Sequence, residues 1–350
     1  MTHVHQFQCD YIAGCHPNVL EALVRTNLVE VPGYGEDPFC QSAADKIRAA
    51  CGKPEAAVHF FAGGTTTNLT VVAAALRPHQ GVVSCDSGHV EAHETGAIEA
   101  TGHKVLTLPA HEGKIDAGEL DAYCAGYFEN AEKVLLVQPG MVYVSFPTET
   151  GSIYTLAELE ALRRVCDKWD LYFYLDGARL AYGLAASPDV TIGDIARLTD
   201  AFYIGGTKCG TLDCEALVIN HPALKKDFAA LMRRQGALLS KGRLAGVQFD
   251  AIMTDDLYFE IGRKAVAQAM RLRQAFIDAG CTMAGDSPTN QQFVCLTQAQ
   301  CDFMARKYRF EDCGRSADGR RVVRFCTAWS TRDDVFEELV ADVAKLKTVA

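Results

Sequence analysis

The stretch "AVHFFAGGTTTNLTVVAAALRPHQGVVSCD", residues 57–86, contains two short apolar runs with a helical pattern between them. The runs at 57–62 and 81–86 are continuous rather than alternating, as expected for strands that are buried on both faces. The segment 66–79 begins at a threonine and ends near a proline, which are typical boundaries of a helix. Strand, helix and strand in this order predict an α/β fold with a mostly parallel sheet.

Comparable apolar runs recur along the first two thirds of the chain. They lie at 103–108, 133–138, 171–176, 201–206 and 215–220. A helix is predicted at 155–169, where Thr155 is the cap and Glu158 follows three residues later. With the two runs quoted above, the pattern predicts a sheet of seven strands.

The pattern changes after about residue 245. The later part of the chain predicts a long helix at 261–280, strands at 291–296 and 321–329, and a closing helix at 332–347. We therefore expect three parts, namely an N-terminal segment (1–15), a large domain (16–245) and a smaller C-terminal α+β domain (246–350).

Composition makes several classes of function poor candidates. The chain has 350 residues, a formal charge of −10 and a pI of about 5.5, with no run rich in Lys or Arg, so nucleic acids and anionic membranes are not expected partners. The N-terminus lacks the pattern of a signal peptide, and no apolar run approaches the ~18 residues of a membrane span. Fourteen cysteines without a CxxC pair indicate reduced thiols in a cytoplasmic protein rather than a metal site.

Gly63, Gly64 and Thr65 stand between a predicted strand and a predicted helix. Such a junction offers backbone N–H groups, a hydroxyl and the helix dipole to an anion, although a plain helix cap is an equally good interpretation. The chain contains neither GxGxxG nor GxxxxGK[ST], so a single phosphate group fits better than a dinucleotide or a nucleoside triphosphate.

Polar residues also follow two other predicted strands. Asp176 needs a positive partner at its strand end, which is either Arg179 in an internal ion pair or the protonated nitrogen of a pyridine ring. His89 and His93 follow another strand, four residues apart. An imidazole there can stack on a flat ring or transfer a proton, whereas a lone histidine is more often structural.

Lys208 lies just after the run 201–206, among small residues. It could be a solvated turn lysine, but a partly desolvated lysine loses its proton more readily and can form a Schiff base. Because ligands of parallel sheets bind outside the carboxyl ends of the strands, we expect Lys208, Asp176, His89 and the turn 63–65 to share one cleft. These groups suit the aldehyde, ring nitrogen, ring face and phosphate of pyridoxal 5′-phosphate.

Nine stretches, in order across nearly the whole chain, resemble the L-threonine aldolase and β-eliminating lyase family in its low-specificity bacterial branch. They are "GYGEDPFC" (33–40), "GGTTTNL" (63–69), "GHVEAHETGA" (88–97), "PTETGSIYTLAELEAL" (147–162), "YLDGARL" (174–180), "YIGGTKCG" (203–210), "QGALLSKGRLAGVQF" (235–249), "SPTNQQF" (287–293) and "VVRFCTAW" (322–329). The resemblance implies the fold type I of pyridoxal-phosphate enzymes, which is also that of the aspartate aminotransferases.

The resemblance also implies roles for single residues. Lys208 would be the Schiff-base lysine, His89 would stack on the pyridine ring, and Asp176 would contact its nitrogen. The turn 63–65 would bind the phosphate.

For the substrate, the resemblance implies that Arg179 and Arg324 contact its carboxylate and the ring-oxygen side of the cofactor. Tyr34 would line the site from a neighbouring subunit. Arg234 and Lys241 would face the site across the subunit boundary. A homo-oligomer with shared sites follows, either a dimer or a dimer of dimers, that is, a homotetramer.

The reaction implied is that of a low-specificity L-threonine aldolase, which cleaves a β-hydroxy-α-amino acid of the L-threonine or L-allo-threonine type to glycine and an aldehyde. The base could be His89, His93 or a water molecule. Cys9 stands where many members have a serine, which leaves the preferred amino acid open.

Three alternatives remain at this point. The first is another pyridoxal-phosphate reaction on a small amino acid, either β-elimination or transamination. The second is a nicotinamide-dependent oxidoreductase, which the missing GxGxxG disfavours. The third is a non-catalytic homologue, which the joint presence of Lys208, Asp176, His89 and Arg324 disfavours.

Overall fold

A computed structural model describes residues 4–349 of the chain. Its strands are β1 (His5–Gln6), β2 (Ala57–Phe61), β3 (Gln80–Cys85), β4 (Val105–Leu108), β5 (Gln138–Ser145), β6 (Tyr172–Asp176), β7 (Ala201–Gly205), β8 (Glu215–Ile219), β9 (Thr282–Met283), β10 (Gln291–Leu296), β11 (Tyr308–Arg309), β12 (Glu311–Arg315) and β13 (Arg321–Cys326).

The α-helices surround these strands. They are α1 (Pro17–Thr26), α2 (Pro38–Cys51), α3 (Gly64–Ala75), α4 (His89–Ala92), α5 (Ala117–Phe128), α6 (Leu156–Trp169), α7 (Leu180–Ala186), α8 (Ile192–Leu198), α9 (Pro222–Lys225), α10 (Phe228–Arg234), α11 (Arg243–Ile252), α12 (Leu257–Asp278), α13 (Gln298–Met304) and α14 (Asp333–Ala344). Short 3₁₀ turns occupy Glu99–Thr101, Lys133–Leu135 and Lys345–Thr348.

The large sheet has seven strands in the order β2-β8-β7-β6-β5-β3-β4. Neighbours from β7 to β4 pair in parallel, whereas β8 pairs antiparallel with both β7 and β2. Within the described chain, β8 alone therefore runs against the others. The carboxyl ends of the other six strands and the amino end of β8 lie at one edge of the sheet. The predicted α/β fold with a mostly parallel seven-stranded sheet is confirmed.

The sheet is covered on both faces, which explains the continuous apolar runs. On β3, Val82 belongs to one apolar cluster and Val83 to another, because successive side chains point to opposite faces. All residues of β7 and β8 are buried. The capping box predicted at Thr155 is present, with Glu158 bonded back to the cap.

A second, antiparallel sheet follows in the C-terminal part of the chain, in the order β12-β13-β10-β9. The helices α12 and α14 contact each other, and side chains from both, such as Leu272 and Phe336, join those of this sheet in a third apolar cluster. Strand β1 pairs in parallel with β11, so the start of the described chain is attached to this C-terminal part. The exact domain limits at residues 15 and 245 stay a prediction.

The prediction of a strand at 133–138 is wrong. Residues 133–135 form a 3₁₀ turn, and the strand begins only at Gln138. Val134 and Leu135 are 87% and 78% exposed in the single chain, so this apolar run packs against neither face of the sheet. Across residues 4–349, no helix is both long enough and apolar enough to cross a membrane.

Candidate active site

A cavity of about 300 Å³ opens at the edge where the strands end. This volume is at the lower end of the range typical of small-molecule sites. Its lining includes seven residues predicted from the sequence, namely Gly63, Gly64, Thr65, His89, Asp176, Arg179 and Lys208. They come from strand ends that are far apart in sequence, because the sheet brings those ends to one edge.

Asp176 ends β6 and lies opposite Ser145 of β5 in the parallel register. Its carboxylate accepts hydrogen bonds from Tyr143 Oη at 2.6 Å, from Asn68 Nδ2 at 3.0 Å and from the Ala178 N–H at 2.9 Å. Burial alone would raise the pKa of Asp176, but the charge of His89 and the hydrogen bonds from Tyr143 and Ala178 are among the effects that lower it overall. Asp176 is therefore a buried, ionised carboxylate at the cavity wall.

The sequence allows an internal ion pair between Asp176 and Arg179, but in the structure Arg179 does not pair with Asp176. Its Nε and Nη2 donate to the two carboxylate oxygens of Asp10 at 2.7 and 3.0 Å. Asn290 Nδ2 donates to the same carboxylate at 2.9 Å. Burial would raise the pKa of Asp10, but the charge of Arg179 lowers it overall. Asp10 thus fixes the orientation of Arg179 and joins the N-terminal segment to both sheets.

Lys208 follows β7 shortly after two glycines, Gly205 and Gly206, at which a larger residue does not fit. A Cβ at Gly205 would lie 2.3 Å from the Ala178 carbonyl oxygen, and one at Gly206 would lie 2.5 Å from that of Cys214. Lys208 Nζ makes no hydrogen bond or ion pair with any residue in 4–349. Burial and the charge of Arg179 lower the pKa of Lys208. The amine is therefore free to react and more readily neutral than that of a surface lysine.

His89 lies at the start of α4, and its Nδ1 is 2.8 Å from Glu94 Oε1. Burial would lower the pKa of His89, but the hydrogen bond to Glu94 and the charge of Asp176 raise it overall. Asn68 Nδ2 donates hydrogen bonds to both buried carboxylates, those of Glu94 and Asp176, and so connects them. His93 contacts the His89 ring at 5.6 Å between centroids, but it is exposed and does not line the cavity.

The turn 63–65 has the geometry of an anion site. Gly63 is the cap of α3 and offers no side-chain acceptor, so the first N–H groups of the helix remain available. A Cβ at Gly64 would lie 2.8 Å from Tyr203 Oη. Together with the unpartnered Lys208 amine and the ionised Asp176, this turn fits the phosphate, aldehyde and ring nitrogen of pyridoxal 5′-phosphate.

The other predicted site residues lie outside this cavity in the single chain. Arg324 donates from Nη2 to the Gln8 carbonyl oxygen at 3.0 Å, and Cys9 lines a neighbouring pocket. Tyr34 is 49% exposed, with the Arg233 guanidinium 5.5 Å from its ring centroid. Arg234 and Lys241 are exposed. Their placement at a subunit boundary stays a prediction.

Several lining residues were not predicted from the sequence. They are Tyr11, Ser145, Glu149, Tyr203 and Glu215, among others. Glu149 lies at the start of the stretch 147–162, "PTETGSIYTLAELEAL", which is one of the nine that resemble the family. No role was predicted for Glu149 itself. Glu215 begins β8, accepts the Gly206 N–H at 2.7 Å, and has its pKa raised to about 7 by burial. Glu215 could have been identified from the sequence, because a carboxylate in an otherwise apolar predicted strand (215–220) is unusual.

Comparison with known proteins gives a consistent picture. The family model described as "Beta-eliminating lyase" matches residues 6–304. A low specificity L-threonine aldolase of Pseudomonas aeruginosa is 26% identical over 348 residues, which is 97% of each chain. A solved structure of a threonine aldolase from Leishmania major is 40% identical, with a TM-score of 0.94 over 98% of this chain and 99% of the other. An aspartate aminotransferase from Thermus thermophilus, 13% identical, shares the fold with a TM-score of 0.67 over 99% and 92% of the two chains.

Proposed function

The chain belongs to the beta-eliminating lyase family, and on that premise we propose that it cleaves β-hydroxy-α-amino acids of the threonine type to glycine and an aldehyde. The observation that supports this most directly is the shared cavity of Lys208, Asp176 and His89. The relatives from Pseudomonas aeruginosa and Leishmania major, both named threonine aldolases, support the same reaction.

We propose pyridoxal 5′-phosphate as the cofactor. Lys208 would bind its aldehyde, Asp176 its ring nitrogen, and the first turn of α3 its phosphate. When bound, this cofactor supplies an electron sink for the electron pair released when a bond to Cα breaks.

The protein's own groups prepare the site for this chemistry. The lowered pKa of Lys208 increases the fraction of neutral, nucleophilic amine near neutral pH. The ionised Asp176 stabilises a proton on the ring nitrogen. Arg179 donates hydrogen bonds from Nε and Nη2 to Asp10. Within residues 4–349, its Nη1 remains available to bind a substrate carboxylate.

The direct test is product analysis with a panel of β-hydroxy-α-amino acids. We expect equal amounts of glycine and aldehyde from the purified protein loaded with pyridoxal phosphate. Borohydride reduction should attach the cofactor to Lys208, which peptide mass analysis identifies. Lys208→Ala should lose both the attachment and the turnover, whereas Lys104→Ala, a change of an exposed lysine, should lose neither.

Other products would point to the alternatives. A keto acid with ammonia would indicate β-elimination, and a keto acid with an aminated cofactor would indicate transamination. Attachment to a residue other than Lys208 would refute the assignment of this site.

We also propose a homo-oligomer, either a dimer or a dimer of dimers. Leu28 and Val24 are 90% and 71% exposed on the single chain, and Tyr34 follows them in sequence. Apolar side chains exposed together in one patch are typical of protein–protein interfaces, and we propose a second copy of this chain as the partner. Light scattering of the purified protein tests this, and a monomer at all concentrations would contradict it. A cytoplasmic location stays a prediction from the cysteine content.

A further inference from the structure

Glu149 is a carboxylic acid of the cavity that the reaction outlined above does not yet use. It lies in the loop after β5 and lines the same cavity as Lys208. Its Oε1 accepts hydrogen bonds from Ser145 Oγ at 2.6 Å and from the backbone N–H of His89 at 3.1 Å. Its Oε2 is buried and has no hydrogen-bond partner among residues 4–349.

The two oxygens therefore have different tasks. Oε1 fixes the carboxyl group in one orientation, because two donors from different segments bind it. Oε2 is a buried acceptor without a partner, which is costly for a folded protein and marks an interaction still to be made. Burial raises the pKa of Glu149, and the charge of Asp176 acts in the same direction. The carboxylate is therefore a stronger base than an exposed glutamate.

The other acids and bases of the site are either held by hydrogen bonds or lie away from the β5 side of the cavity. Asp176 accepts three hydrogen bonds and has a lowered pKa. His89 is bonded to Glu94 through Nδ1, and His93 is exposed outside the cavity lining. Glu215 lies on the other side of Asp176 in the sheet, because β8 and β5 flank the pair β7-β6. Asp213, which also lines the cavity, lies in the connection between β7 and β8. Among residues 4–349, Glu149 is thus the cavity-lining carboxyl group with an unpartnered oxygen on the β5 side.

Resting on the proposed function, we propose that Glu149 Oε2 is the base that accepts the proton of the substrate's β-hydroxyl group. The hydroxyl O–H bond breaks, the proton moves to Oε2, and the oxygen forms the C=O bond of the leaving aldehyde. Pyridoxal phosphate, when bound, would supply the electron sink for the electron pair of the Cα–Cβ bond. Cα then gains one proton to give glycine, and Glu149 loses its proton to solvent, so the reaction is balanced without an oxidant or reductant.

The experiment compares two reactions of the same cofactor-loaded enzyme. Aldehyde release from L-threonine needs the hydroxyl proton to be removed. Exchange of the glycine α-proton in D₂O needs the cofactor, Lys208 and Asp176 but involves no hydroxyl group. In Glu149→Gln, which keeps an Oε1 acceptor, aldehyde release should fall ~10²–10⁴-fold. The exchange of the glycine α-proton should stay near the wild-type rate.

The pH profile gives a second readout. A base must be ionised, so wild-type kcat/KM should fall as the pH drops below the pKa of Glu149, and Glu149→Gln should lose that acid limb. Glu149→Asp, which retains a titrating carboxylate, should keep the limb. Glu91→Gln is the matched control, because this exposed carboxylate lies on the same short helix as His89 and has no ion pair within residues 4–349.

Three outcomes would overturn the proposal. Parallel loss of both reactions in Glu149→Gln would show that Glu149 only orders the site, and unchanged aldehyde release would show that it is not used. If Glu149→Gln fails to fold, equal losses of the two reactions in Glu149→Asp would have the same meaning. A wild-type enzyme that exchanges the glycine proton but cleaves no β-hydroxy amino acid would refute the proposed function itself.

Discussion

Replacing Glu215 with glutamine should stabilise the protein against unfolding, and the gain should grow as the pH rises. Glu215 is only 4% exposed, and burial raises its pKa from the usual 4.5 to about 7. This rise corresponds to about 3 kcal/mol, since each tenfold change in the proton equilibrium is ~1.36 kcal/mol. The folded state therefore binds a proton at Glu215 that the unfolded state has already released between pH 4.5 and 7.

The sign of the effect follows from this difference. Below pH 4.5 both states are protonated, and the folded state keeps its full stability. Between about pH 4.5 and 7 the unfolded state has lost this proton while the folded state still holds it, so stability falls as the pH rises, and the loss is complete once the buried carboxyl group ionises above about pH 7. Glutamine stays neutral and can still accept the Gly206 N–H, so Glu215→Gln avoids the loss.

The assay is denaturant unfolding of the cofactor-free protein at fixed concentration between pH 5 and 8.5. The difference in unfolding free energy between Glu215→Gln and wild type should increase by most of the ~3 kcal/mol over this range. Glu91→Gln, an exposed carboxylate, serves as the control and should show no such trend. Parallel stability profiles of Glu215→Gln and wild type would refute the reasoning.

Two further substitutions test other parts of the site. Asp10→Ala leaves the buried Arg179 without its ion-pair partner, so we expect a loss of ~3–5 kcal/mol in unfolding free energy by denaturant titration; an unchanged midpoint would contradict this. Gly64→Ala places a methyl group 2.8 Å from Tyr203 Oη, a strain of ~1–3 kcal/mol that should weaken pyridoxal-phosphate binding about 10- to 100-fold in absorbance titrations of the apoprotein. Gly126→Ala, where no atom lies within 4 Å of the added carbon, should bind as wild type does.

The sequence was sufficient for most of the large sheet because its strands are buried on both faces. The run 201–206 became β7, in which every residue is buried, and the run 215–220 became β8. The run 133–138 is also rich in apolar residues, but its residues 134–137 are exposed and precede the strand that begins at Gln138. A continuous apolar run predicts a buried strand only where the rest of the chain covers it, and a single sequence does not contain that information.

The site was predictable to the extent that its groups follow strands. Lys208 and Asp176 do so, and both line the cavity. The pairing of Asp10 with Arg179 joins residues 169 positions apart, which local spacing does not reveal. Glu149 was missed for a related reason, since the partners of its Oε1 include a backbone N–H, which any residue can provide.

The reversed direction of β8 has a consequence for how Lys208 is placed. Parallel neighbours such as β5 and β6 are joined through a helix, whereas β7 and β8 pair antiparallel and are joined directly by residues 206–214. A short connection between adjacent strands loses little chain entropy on closing and forms through local contacts. Lys208 is thus positioned by a hairpin built from local contacts, whereas Asp176, Glu149 and the imidazole of His89 reach the cavity only through the long-range assembly of the sheet.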